Sequence, residues 1–223
     1  MKNPWLDLTI DKNGKYILDI DRETILKLQK SLNEKYELRL ELFPAPFDGD
    51  PKAPVYLLNL NPGFGENDKN EMSRIQEFVF KNLRHQPMEY PFCSLNPKLN
   101  GTGGNIWWIK ILGPLLRKIN NDKLVSQKIF CVEYFPYHSK SFNANILVPS
   151  QEYNIYLIKK AIQKNKVFII MRREKDLYSL IPELKEHQKR GMVFSCKNKQ
   201  RPWISEKNIE KDGFNKIVEM MLI

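Results

Sequence analysis

Four short apolar runs constrain this chain more than any other feature: VYLLNL (55–60), KIFCVEYF (128–135), KVFIIM (166–171) and GMVFSC (191–196). They are nearly continuous rather than alternating, which is the pattern of strands buried on both faces. Between them lie helical stretches near 71–83, 105–120 and 150–164. Strand and helix in alternation predict a parallel sheet between layers of helix. The sequence therefore predicts an α/β fold over residues 51–223, a three-layer α/β/α sandwich with a central, mainly parallel four-stranded sheet.

The first fifty residues read as an accessory segment packed on that core. KYILDI is strand-like, and Asp21 is the expected N-cap of a helix with Ile25, Leu26, Leu28 and Leu32 on its apolar face. YELRLELF alternates as a half-exposed strand does. FPAPFDGDPKAP, with its four prolines, reads as a loop. At the other end, Ser205 is the expected N-cap of a last helix carrying Ile209, Ile217, Val218 and Met221.

Composition narrows the function classes. The 223 residues carry a formal net charge of +10, which suits a polyanionic partner such as nucleic acid, or simply a lysine-rich solubilising surface. No apolar run approaches the roughly 18 residues a membrane span needs, and MKNPWLDLTI lacks the apolar core of a secretory signal. Cys93, Cys131 and Cys196 are scattered and odd in number, which predicts a reducing, cytoplasmic setting and no disulfide framework. His85, His138 and His187 lack zinc spacing, so neither a metal nor an organic cofactor is expected. The chain has no Gly-Lys-Ser/Thr phosphate loop.

In a parallel α/β sheet the ligand crevice lies beyond the carboxyl ends of the strands. The first strand delivers Asn61-Pro62-Gly63 there, the second Glu133 to Ser139, the third Arg172 and Arg173, and the fourth CKNKQRPWIS. That mixture of polar, aromatic and basic groups fits a base stacked on a ring with phosphates around it.

On these residues the chain resembles the uracil-DNA glycosylase superfamily, in the branch reading Gly-x-Asn-Pro-Gly. LNLNPGFG resembles the first active-site motif, YPFCSLNP the segment with the stacking aromatic, EYFPY the base-reading strand end, and NKQRPWIS the loop that enters the DNA groove. The resemblance covers residues 45–220. It implies a monomeric DNA-binding base hydrolase in which Asn61 holds the attacking water and Asn198 stabilises the departing base. It implies base contacts from Pro62, Gly63, Phe64, Phe92, Glu133 and Tyr137, and DNA contacts from Arg172, Arg173, Lys199, Arg201 and Trp203. TGGN (102–105) is a further place where backbone N–H groups can approach a phosphate, while Trp107 and Trp108 are expected to pack the helix behind it.

The chemistry agrees with those roles. A carboxamide positions water without acting as a base, and a glycine lets backbone approach a sugar or phosphate closely. Two positions depart from the family pattern: Asn59 stands where the motif opens with glycine, and Glu133 stands where an asparagine usually reads the base. An ionised carboxylate accepts hydrogen bonds only, so Glu133 favours an amino-bearing base over uracil, unless it pairs with Arg172 and meets no base at all. Three functions remain open: a DNA glycosylase-like hydrolase acting on a damaged or non-standard base, a non-catalytic nucleic-acid binder of the same fold, and an α/β enzyme of small nucleotides.

Overall fold

The computed structural model describes residues 1–65, 67–142, 146–210 and 212–222. Five strands form one mixed sheet: β1 (Phe47–Gly49), β2 (Val55–Asn59), β3 (Ile129–Glu133), β4 (Val167–Ile170) and β5 (Val193–Ser195), in the order β1-β3-β2-β4-β5. The pairs β2–β3, β2–β4 and β4–β5 are parallel, and β1 runs antiparallel to β3. The four expected strands are therefore joined by a fifth, which comes from the proline-rich stretch expected to be a loop. The prolines flank β1 without interrupting it, and as an edge strand it needs hydrogen bonds on one side only. Gly49, at φ +116°, crosses β3 so closely that a Cβ would lie 2.5 Å from the Ile129 carbonyl oxygen.

Eight α-helices are seen among the described residues: α1 (Asp19–Ser31), α2 (Asp68–Leu83), α3 (Gly103–Ile119), α4 (Asp122–Lys128), α5 (Gln151–Gln163), α6 (Glu174–Leu180), α7 (Glu183–Lys189) and α8 (Gly213–Leu222). Alternate strand residues feed two apolar clusters. Tyr56, Leu58, Phe130, Val132, Phe168 and Ile170 pack with α1, α5, α6 and α7. Val55, Leu57, Ile129, Cys131, Val167 and Ile169 pack with α3, α4 and α8. Helices thus cover both faces, and this is why the strands are apolar throughout.

Two expected strands of the N-terminal segment do not form. KYILDI contributes the isolated bridge Ile10–Tyr16 and then enters α1. In YELRLELF the alternation is genuine, with Leu38, Leu40 and Leu42 buried. The chain turns there, Leu42 N donating to the Arg39 carbonyl, and only Leu38 bridges, to Ser139. Asp21 is not a cap but the third residue of α1 and fully buried. Its carboxylate accepts from Tyr137 Oη and Ser150 N, both at 2.8 Å. The last helix starts at Gly213 rather than after Ser205, whose carbonyl instead closes a turn to Asn208 and Ile209. Gly213 is needed there because a Cβ would strike Ile209 and Phe194 at 2.5–2.6 Å.

Candidate functional site

Beyond Asn59 and Glu133 the chain leaves the sheet, but the two connections stay side by side. Tyr134 N donates to the Asn59 carbonyl, Phe135 N to Leu60 and Ser139 N to Pro62. This pairing holds the Asn61-Pro62-Gly63 turn over the end of the sheet. The turn forms one wall of a cavity of about 680 Å³, within the range typical of small-molecule sites. Residues of α2 and of the start of α3 also line it, together with Phe43, Phe47 and Asp48.

Asn61 is buried in this wall. Its Nδ2 donates to the Pro62 carbonyl at 2.9 Å and to Ser139 Oγ at 3.0 Å. Because a backbone carbonyl only accepts, the carboxamide orientation is set, and Oδ1 remains without a hydrogen bond among the described residues. An acceptor held this way on a cavity wall can orient a water molecule. His138, also on the wall, places Nδ1 against the Gly63 carbonyl. Burial holds its imidazole below the usual range, opposed by the contact with that carbonyl.

Three strand ends meet at the cavity floor. Asn59 Nδ2 donates to Glu133 Oε1 at 3.1 Å, and Arg172 Nη1 approaches Asn59 Oδ1 at 3.5 Å. The guanidinium is thus connected to the carboxyl group through the Asn59 carboxamide. Glu133 is 7% exposed, and its Oε2 has no hydrogen-bond partner among the described residues. Burial pushes its pKa up to about 7, against the pull of Asn59 and the Arg172 charge. Arg172 also donates Nε to the Lys199 carbonyl at 3.0 Å and lies 6.0 Å over the Trp107 ring.

Asp48 is a second acid on the wall, half-buried. Its Oδ1 accepts from Asn82 Nδ2 (2.9 Å) and Cys93 N (2.7 Å), and its Oδ2 from Ser94 N (3.2 Å) and Ser94 Oγ (2.7 Å). Burial raises its pKa in spite of these donors.

Of the residues singled out in the sequence, Asn61, Pro62, Gly63, Phe64, Glu133 and Arg172 line this cavity. Phe64 is half-buried with the Arg39 guanidinium 4.6 Å over its ring. Phe92 and Tyr137 lie elsewhere. Phe92 is fully buried edge-on against Trp108, and so has no face to offer a base. Tyr137 is buried with its hydroxyl on Asp21. Asn198 is turned into its own loop, where Oδ1 accepts from Gln200 N and Arg201 N. Lys199 pairs with Glu174 at 3.0 Å and Arg173 with Asp176 at 3.0 Å. Arg201 and Trp203 are exposed on the 197–204 loop, which is tied to the site through the Lys199 carbonyl.

The phosphate expected at TGGN meets an internal competitor, since Gly103 N donates to Glu71 Oε2 at 3.0 Å and Thr102 caps Asn105 N. Asp48, hidden among prolines, carries no signal in the sequence, and Asn59 stands out there only as a departure from the motif. Trp107 and Trp108, expected only to pack, both line the cavity. Paired tryptophans directly after a glycine-rich helix start were the available signal. Among the described residues no group of His, Cys, Asp and Glu is arranged to hold a metal ion, and no helix is long and apolar enough to cross a membrane. Comparison with known proteins identifies no matching family model, curated protein or solved structure.

Proposed function

We propose that the chain is a DNA glycosylase-like hydrolase that binds a non-standard or damaged base in this cavity and cleaves its N-glycosidic bond. The helices against both faces of the sheet fit the three-layer α/β/α sandwich that the resemblance implies. The observation carrying the reading is Asn61, whose amide is locked by Pro62 and Ser139 with Oδ1 left for a water. Such a water, fixed opposite a scissile bond, gains reactivity from positioning rather than from deprotonation by a strong base. Trp107 supplies an aromatic face, and the Asn59–Glu133–Arg172 cluster supplies polar contacts to the base edge. The net charge of +10 suits a DNA partner.

A second reading, a non-catalytic nucleic-acid binder, is favoured by one observation. Asn59 replaces the glycine that opens the family motif, and its side chain occupies the cavity floor. One experiment separates the two. Single- and double-stranded oligonucleotides carrying a panel of modified bases are incubated with the protein, and released base and salt-dependent affinity are measured. Base release supports the hydrolase, whereas salt-sensitive binding without release supports the binder. Absence of both overturns the nucleic-acid reading.

A further inference from the structure

Glu133 Oε2 is an orphan in a position where orphans are rare. A buried polar atom without a partner is unusual enough to need an explanation, and this one belongs to a residue that lines the cavity. The surroundings fix what it can do. Arg172 can only donate, so its approach to Asn59 Oδ1 sets the orientation of that carboxamide, and Asn59 Nδ2 is committed to Glu133 Oε1. Asn59 is thereby a positioning residue. One of its two N–H donors is thereby taken, and Oε2 is the carboxyl oxygen left to accept from a ligand on this floor.

We propose that Glu133 Oε2 is the specificity element of the cavity, and that its ionised form selects an amino-bearing heterocycle of the cytosine or adenine type over a uracil-type base. The inference rests on the base-binding reading of the cavity. An exocyclic amine donates to a carboxylate without bringing another acceptor beside it. The ring N3–H of a uracil-type base is flanked by a carbonyl oxygen on each side, so offering it to a carboxylate also brings those oxygens close. The protonated form reverses the preference. Because Oε1 faces the Asn59 amide donor, the proton sits on Oε2, which then donates to a carbonyl.

The charged and titratable groups around this carboxyl are Arg172 from the end of β4, Asp48 from β1 and Cys131 on β3 itself, whose thiol contacts Oε1 at 3.7 Å. Arg172 favours the ionised form and Asp48 opposes it. Burial raises the Cys131 thiol far above neutrality, so it stays uncharged while Glu133 titrates.

The test is a titration with deoxycytidine, deoxyadenosine and deoxyuridine at about pH 8.5 and about pH 5.5, followed by ligand-observed NMR. At the higher pH deoxycytidine and deoxyadenosine should bind at least ~10-fold more tightly than deoxyuridine, and the ratio should fall at the lower pH. In Glu133→Gln, which offers a donor at all pH values, the ratio should collapse and become pH-independent. If that variant does not fold, the pH response of the natural protein decides alone. Equal or tighter binding of deoxyuridine at about pH 8.5, or a ratio unmoved by Glu133→Gln, overturns the proposal while leaving base binding intact. If no nucleoside binds and no oligonucleotide loses a base, the base-binding reading fails and this proposal falls with it.

Discussion

Replacing Glu133 by glutamine should stabilise the protein in alkaline solution and leave it nearly unchanged in acid. The carboxyl's pKa rises from 4.5 to about 7 on folding, chiefly because burial disfavours the charge. Between those values the folded protein keeps a proton that the unfolded chain has released. Stability therefore falls as pH rises through the window, and the whole penalty is present above about pH 7. At about 1.4 kcal/mol per pH unit, it is on the order of 3 kcal/mol. Glutamine keeps an oxygen for Asn59 and carries no charge, so Glu133→Gln loses this pH dependence. Near pH 8 the variant should exceed the natural protein by ~2–3 kcal/mol, or roughly 5–10 °C in Tm for a chain of this size. At about pH 4 the two should agree within about 1 kcal/mol, the usual net value of one hydrogen bond. Urea denaturation across this range reads the difference directly. Asp21, whose pKa burial also raises, affects both proteins alike and cancels. Parallel stability–pH curves would refute the reasoning, because they would mean that the carboxylate has found a counter-charge or solvent.

Three further outcomes are expected. Asn61→Ala should leave DNA affinity nearly intact and slow base release by at least about 10²-fold in a single-turnover assay, and normal turnover would remove Asn61 from the chemistry. Gly63 has no atom within 4 Å of a built Cβ and no positive φ. Gly63→Ala should therefore melt within about 1 °C of the natural protein yet bind oligonucleotide more weakly, and unchanged affinity would mean that no ligand approaches this backbone. Asp48→Ala strips an acceptor from Cys93 N, Ser94 N and Asn82 Nδ2. At about 1–3 kcal/mol per buried orphan, and with water able to enter from the cavity, a loss of roughly 3–5 kcal/mol is expected by denaturation. Asp48→Asn, which retains one oxygen, should lose less than half of that.

The parallel core was legible because burial on both faces leaves a direct trace in composition: VYLLN, IFCVE and VFII appear in the structure almost residue for residue as β2, β3 and β4. Strand β1 was not, since three residues flanked by prolines carry no periodicity, and partners distant in sequence define them. The site was half legible. Asn61, Glu133 and Arg172 could be placed because the end of a buried strand is a position in space as well as in sequence. Phe92 and Tyr137 could not, because an aromatic near a strand end is equally good core, and which way it turns depends on neighbours such as Trp108 and Asp21. Helix α8 began later than the Ser205 cap suggested, because a serine can close a turn as readily as it starts a helix.

The N-terminal segment does more than cover the core. Its Asp21 holds Tyr137, Arg39 N donates to the His138 carbonyl at 2.8 Å, Ala45 N donates to the Pro136 carbonyl at 3.0 Å, and Leu38 bridges to Ser139. Each of these bonds ends on the connection that follows β3, the same stretch that braces Asn61 through Ser139. Bonds shared in this way predict that the two regions open as one unfolding unit. Amide exchange at Arg39 and Ala45 should then report the same opening free energy as exchange at Tyr134 and Phe135, although the two pairs lie nearly a hundred residues apart in sequence. A chain trimmed to residues 51–223 would lose edge strand β1 together with the scaffold that shapes the cavity.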